Sequence, residues 1–365
     1  MIQETSQKSI IVVLGMHRSG TSVVTRIFNL LGADTGKNLM LPAEDNPSGF
    51  WEPVEIVAVH DELFQHLGYS WNDPRPLPYK WWQRPDIKVF EDRLLQLVKQ
   101  HYADIDLPII KDPRLCRLLP LWHRIFNKLG WKAHYVLVGR SPIEVADSLS
   151  KRNALSTSHS HLLWLRHVVE SEFWSRENPR TFLLYNQLFE SWQSEIKRCK
   201  RELGLKKLRL SKSRELEIND YIDRSLRHSK IPQESIDTAS DISLFVSDAY
   251  SQFKQAAISG LVETKLQARF DSISRQVMNA DRLYSSIWLP SLGQRDAATA
   301  NMAELENERK VNKADIEHDR GLANVFQTQH DELLGKVQSL SIRVGEGEAV
   351  SRELDRKHEE YISCK

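Results

Sequence analysis

The chain has 365 residues, 41% hydrophobic and 27% charged, so it can bury an ordinary soluble core and is longer than one typical domain. Its 50 basic and 49 acidic residues leave a net charge of +1, which excludes a global pull toward nucleic acid or an anionic membrane and requires any anion site to be built locally. Cys116, Cys199 and Cys364 are widely separated, with no CxxC pair and no metal-ligand spacing, so neither a bound metal nor a disulfide framework is expected and a reducing, cytoplasmic setting is.

The first apolar run, residues 10–14 (Ile-Ile-Val-Val-Leu), is too short for a membrane span or a signal core and fits a buried parallel strand. Residues 22–31 carry apolar positions at helical spacing and stop at Gly32. Residues 36–53 are rich in Gly, Pro and Asn and read as a loop, residues 55–67 return to helical periodicity, and Pro74, Pro76 and Pro78 mark a second irregular stretch. A helix over 89–102 is followed by a short strand at 107–110, a helix at 118–129 ending near Gly130, and a strand at 134–138. A helix over 142–152, a strand at 181–185 and a helix at 188–203 complete the pattern.

Strands separated by helices predict an α/β fold, a P-loop-type parallel sheet flanked by helices, over residues 1–230. Right-handed crossovers then put every strand's C-terminal end on one edge, where ligands bind. A helical segment is expected over 231–292, with a break at Pro290-Ser291-Leu292-Gly293. Residues 293–365 are highly charged. There Val337, Leu340 and Val344 fit an a–d–a spacing that Leu354 and Tyr361 continue, while Gly345 and Gly347 interrupt it. A long helix or coiled coil that self-associates is one reading of this part, and a solvated tail is the other. The charged end, Ser363-Cys364-Lys365, is compatible with a longer parent chain.

Between the first strand and first helix lies Gly15-Met16-His17-Arg18-Ser19-Gly20-Thr21-Ser22. Glycines let the backbone wrap an anion, and the first amides of the helix point at it. Gly15, Gly20 and Ser22 match GxxxxGK[ST], but Thr21 stands in place of the lysine. Arg18 brings the positive charge earlier, which favours one 5'-phosphate over a triphosphate. The segment resembles the 5'-phosphosulfate loop of sulfotransferases that use 3'-phosphoadenosine 5'-phosphosulfate (PAPS). His17 replaces the common proline, as in the bacterial and Golgi-type branches.

The resemblance implies a second anion site for the 3'-phosphate, with an Arg at a strand end and a Ser eight positions later, which Arg140 and Ser148 satisfy. It also implies that His17, Arg18, Ser19, Gly20, Thr21 and Ser22 hold the nucleotide and that Arg227 returns over it from a later basic loop. Leu184-Tyr185-Asn186-Gln187-Leu188 matches the family's Tyr-Glu-Asp-Leu segment only in part. Lys111, in Lys111-Asp112-Pro113-Arg114, resembles a lysine of the tyrosine-sulfating branch that contacts the transferring group. Asp112 and Arg114 read as an ion pair that holds the turn.

Sulfuryl transfer needs an in-line attack, a base and charge neutralisation. Arg18 is placed to stabilise the sulfuryl oxygens and leaving phosphate, and no metal is required. For the base, Glu52 sits among aromatic and proline residues that raise a carboxyl pKa, and Glu55 and His60 compete with it. Trp51, Trp71, Trp81 and Trp82 suit a hydroxyl acceptor with a sugar ring, or simply the core. Three functions stay open at this point. They are a PAPS-dependent sulfotransferase acting on a hydroxyl or amine acceptor, a P-loop kinase or NTPase, and a non-catalytic assembly module with a helical arm.

Overall fold

The computed structural model describes residues 7–43, 46, 49–222, 242–259 and 264–283, with scattered positions between 309 and 359. It divides into two compact units, Met1–Leu283 and Tyr284–Lys365.

The first unit is an α/β layer structure. Its four strands are β1 (Ser9–Leu14), β2 (Ile109–Lys111), β3 (Lys132–Gly139) and β4 (Arg180–Leu184), all parallel, in the order β2-β1-β3-β4. Its helices are α1 (Thr21–Leu30), α2 (Val54–Leu67), α3 (Lys88–Tyr102), α4 (Leu115–Leu129), α5 (Pro142–Asn153), α6 (Thr157–Ser175), α7 (Tyr185–Leu203), α8 (Lys212–Tyr221), α9 (Leu244–Ser259) and α10 (residues 264–283).

β1 is central because its apolar run lacks an exposed face. Ile10, Val12 and Leu14 enter one core with Leu137, Phe182 and the helices α4, α6 and α9, while Ile11 and Val13 enter the other with Val24, Ile27, Phe28 and Leu188. The period of two in a strand divides one continuous hydrophobic run between two cores. Val12 aligns with Ile110 on β2 and Tyr135 on β3, so the C-terminal ends of these strands share one edge.

Two strands sit slightly off their expected places. β2 runs to Lys111, which pairs with Val13, and β4 ends at Leu184 so that Tyr185 opens α7. Two helices, α6 and α8, are not visible in the sequence pattern. α6 buries Ser160, His161, Trp164, Arg166, His167 and Glu172 as well as Leu163 and Leu165, so no polar stripe alternates with an apolar one. Its start is a local cap: Ser156 Oγ accepts from His159 N at 3.3 Å.

α9 packs into the same core as the sheet, with Phe253 against Phe182 (ring centroids 5.0 Å) and close to Gly139. A Cβ on Gly139 would lie 2.4 Å from the Phe253 ring, so this glycine is what lets α9 approach β3. Within the second unit, residues 352–359 are helical and Leu354 is exposed. The other heptad positions, Val337, Leu340, Val344 and Tyr361, lie outside the described residues, as does the break at 290–293. Among the described residues no helix is long and apolar enough to cross a membrane.

Candidate functional site

The loops after β1, β2, β3 and β4 meet at the C-terminal edge of the sheet. The loop after β1 is shaped by two close approaches. A Cβ on Gly15 would lie 2.7 Å from Val138 O, and one on Gly20 would lie 2.0 Å from the Tyr185 ring. Gly20 also has φ 89°, a left-handed conformation that side chains resist. Between them Arg18 holds φ 68°, a strained backbone for a non-glycine residue, and Ser19 N closes the turn by donating to Met16 O at 3.1 Å. Cys116 Sγ accepts from Gly15 N at 3.1 Å and steadies the loop; burial pushes its thiol up to about 12, so it stays a neutral thiol. No side chain caps α1, which leaves its first-turn amides to a ligand or solvent.

Around this loop two charged clusters form. In the first, Arg18 Nε donates to Ser148 Oγ at 2.8 Å and Arg140 Nη1 donates to Arg18 O at 3.0 Å. Arg140 lies over the Tyr185 ring at 4.8 Å and pairs with Glu144 at 2.6 Å. The eight-residue spacing from Arg140 to Ser148 is thus bridged by Arg18 itself. Tyr185 is the platform under Arg140 and against Gly20, a role its partial sequence match did not reveal. Two buried polar atoms here have no protein partner: Arg140 Nη2 and Ser19 Oγ. Buried donors ordinarily find partners, so each of the two suits an anionic oxygen of a ligand.

In the second cluster, Lys111 Nζ donates to Glu52 Oε1 at 2.5 Å and to Ser22 Oγ at 3.2 Å. Lys111 therefore brings to the end of the loop of residues 15–22 the positive charge that Thr21 does not supply. Glu52 arrives from the loop before α2, which is pinned by the backbone bonds Met40 N to Glu52 O (2.8 Å) and Val54 N to Asn38 O (3.0 Å). Burial raises the Glu52 pKa, and the Lys111 charge opposes the rise.

The competing bases are engaged elsewhere. His60 is fully buried; Trp122 Nε1 donates to its Nε2 at 2.9 Å, so the proton sits on Nδ1 and goes to Asp112 Oδ2 at 2.7 Å. Asp112 Oδ1 in turn accepts from Arg114 N (2.9 Å) and Nη1 (3.0 Å), which makes the expected ion-paired turn. Burial alone would raise the Asp112 pKa, but the Arg114 charge and the His60 bond hold it far below the usual carboxylate range. Glu55 is bound at the surface to Asn38 (2.5 Å) and His101 (3.3 Å).

His17 faces a different neighbourhood from the rest of its loop. Its ring lies 4.6 Å from Trp71 and 6.4 Å from His167, and burial together with the charges of Arg114 and Arg152 pushes its pKa well below the ordinary value. It is a neutral ring beside the loop. Trp81 is buried, Trp82 packs on Trp81 and Trp174, Trp51 lies under Arg26 and Trp71 lies against His17, so all four tryptophans pack on protein. Arg227 lies outside the described residues. Among the described residues no three His, Cys, Asp or Glu side chains group as a metal site would require.

No protein-family model matches the chain, and no curated protein does. Among solved structures it is similar to the sulfotransferase domain from the Synechococcus PCC 7002 olefin synthase, at 12% identity over 73% of this chain and 95% of that one, with a TM-score of 0.38. It is also similar to the sulfotransferase domain from the curacin biosynthetic pathway, at 14% identity over 74% of this chain and 98% of that one, with a TM-score of 0.35.

Proposed function

We propose that the chain is a PAPS-dependent sulfotransferase that moves a sulfuryl group to a hydroxyl acceptor. The observation that carries this reading is the meeting, on one sheet edge, of a lysine-free phosphate loop with Arg18, Arg140, Ser148 and Lys111. A triphosphate site concentrates its positive charge within the loop; here the charge is spread over two clusters, as a nucleotide with phosphates on both 3' and 5' oxygens requires. The orphaned Arg140 Nη2 and Ser19 Oγ fit anionic oxygens.

Arg18, Ser19, Gly20, Thr21 and Ser22 would hold the 5' end, and Arg140 with Ser148 the 3'-phosphate. The co-substrate supplies an activated sulfuryl group when bound. Lys111 neutralises charge beside Ser22 and holds Glu52 through Oε1, which leaves Oε2 to take the acceptor proton. Arg18 adds a fixed positive charge that needs no reorganisation during transfer.

Lys111 beside Ser22 also favours a second reading, a kinase whose phosphate-loop lysine comes from β2. Calorimetry separates the two. The sulfotransferase reading predicts binding of 3'-phosphoadenosine 5'-phosphate in preference to ATP by at least about tenfold, or ~1.4 kcal/mol. Preference for ATP overturns it in favour of the kinase, and absence of binding to either nucleotide overturns both in favour of a non-catalytic module.

A further inference from the structure

The segment 70–76 between α2 and α3 contains Pro74 and Pro76 and has no regular secondary structure, yet its backbone is gripped from outside. Four consecutive carbonyls are taken by side chains of α4 and α6. His159 Nε2 meets Asn72 O at 2.6 Å, Arg117 donates to Asp73 O (Nη1, 2.6 Å) and Arg75 O (Nη2, 2.5 Å), and Arg166 Nε donates to Pro74 O at 2.9 Å. The segment also ties itself, since Arg75 N donates to Asp73 Oδ1 at 2.9 Å and Tyr69 Oη to Pro76 O at 2.9 Å.

Arg117 is 1% exposed, with Glu170 as its counter-charge at 3.5 Å, and Arg166 is buried and paired with Asp281 of α10. Burying two guanidinium groups is costly unless they are fully bonded. A loop's carbonyls are satisfied by water at no such cost, so backbone satisfaction alone does not explain the grip. What the grip sets is the residue next to it. Trp71 immediately precedes Asn72, and its ring lies against His17 of the phosphate loop (4.6 Å) and under Arg152 (5.5 Å). His17 Nε2 is buried behind it.

We propose that Arg117, His159 and Arg166 are positioning residues that hold Trp71 as a water-excluding wall on the His17 side of the phosphate loop. This rests on the sulfotransferase reading above. The wall's task is to let an acceptor oxygen, and not water, reach the sulfuryl group. With the wall loosened, a water oxygen bonds to sulfur and the bond from sulfur to the 5'-phosphate oxygen breaks. Sulfate leaves, 3'-phosphoadenosine 5'-phosphate remains, and a proton passes to solvent.

The test uses the full chain labelled with 5-fluorotryptophan, its Trp71 fluorine line assigned by Trp71→Phe. Arg166→Met removes one grip and Arg166→Lys restores a donor; His159→Ala, at a half-buried position, removes another grip with little risk to folding. The expected result is a Trp71 line that moves toward the solvent-exposed value in Arg166→Met and His159→Ala and returns in Arg166→Lys. Sulfate release from PAPS without acceptor rises about fivefold or more in the same two variants, because water exclusion suppresses that side reaction. Affinity for 3'-phosphoadenosine 5'-phosphate stays within about twofold of the wild type. An unmoved Trp71 line overturns the grip, and a moved line with unchanged sulfate release overturns the wall. Failure of the wild type to bind the bisphosphate overturns the sulfotransferase reading and the wall's task with it, and is told apart because the fluorine line still reports the grip.

Discussion

Glu52 is under two opposing influences. Burial favours its neutral form, and Lys111 at 2.5 Å favours its charged form, with burial prevailing to raise its pKa. A base must be ionised to accept a proton, so in the proposed reaction transfer is expected to be lost as pH falls through this raised pKa and to be full above it. Glu52→Gln is expected to lower kcat by roughly 10²–10⁴-fold and to abolish that acid limb. A pH–rate profile with any hydroxyl acceptor found by screening checks both; turnover unchanged in Glu52→Gln would remove Glu52 from the mechanism. At this scale much of the site was legible. Arg18 was readable from the loop motif, Glu52 from its aromatic and proline surroundings, and Lys111, Arg140 and Ser148 from the family resemblance; the fold groups Arg18 with Arg140 and Ser148, and Lys111 with Glu52. Tyr185 and Glu144 were not, because each acts only through Arg140 and no spacing rule connects them to it.

The turn after β2 shows how an element is held by a buried relay. Trp122 on α4, His60 on α2, Asp112 and Arg114 follow one another, and Arg114 ends on Asp61 at 2.7 Å. Lys111 is the residue just before this anchor, so the relay sets where its ammonium stands. Asp112→Asn leaves Arg114 without its buried counter-charge and is expected to cost about 3–5 kcal/mol of stability, measured by urea unfolding. The sign with pH follows from the depressed pKa. The Asp112 contribution is full above the unfolded carboxylate pKa of about 3.9 and is lost as pH falls toward the folded value. The variant therefore loses this part of the acid sensitivity; equal stability of the two proteins at neutral pH would refute the relay. Elements with one apolar stripe or one apolar run, such as α1 and β1, were readable. α6 was not, since its buried face includes Arg166, His167 and Glu172, and polar residues enter a core only through partners that the sequence does not show. The same holds for segment 70–76, whose prolines suggest an irregular loop and whose four gripped carbonyls are supplied from more than 40 residues away.

At the scale of the molecule, the order β2-β1-β3-β4 puts neighbours on both sides of β1, the kind of reversal beside which open parallel sheets bind ligands, and the loop of residues 15–22 lies at its end. The alternation of strands and helices announced the parallel sheet, but strand order came only with the fold, because it depends on the direction each crossover takes. The change in composition near residue 230 is real in the sequence, yet α9 completes the core beneath Gly139, one residue before Arg140. The candidate site thus draws on both sides of that change.

The central claim is that this sheet edge reads a 3'-phosphate through Arg140. The most direct measurement is a calorimetric cycle with two ligands, 3'-phosphoadenosine 5'-phosphate and adenosine 5'-phosphate, on the wild type and Arg140→Ala. Arg140 also supports Arg18, so the variant lowers affinity for both ligands, and the ratio between them isolates the 3'-phosphate. The account predicts a wild-type preference for the bisphosphate of at least about tenfold that falls to about twofold or less in Arg140→Ala. A preference that survives the substitution intact, or its absence from the wild type, would contradict it.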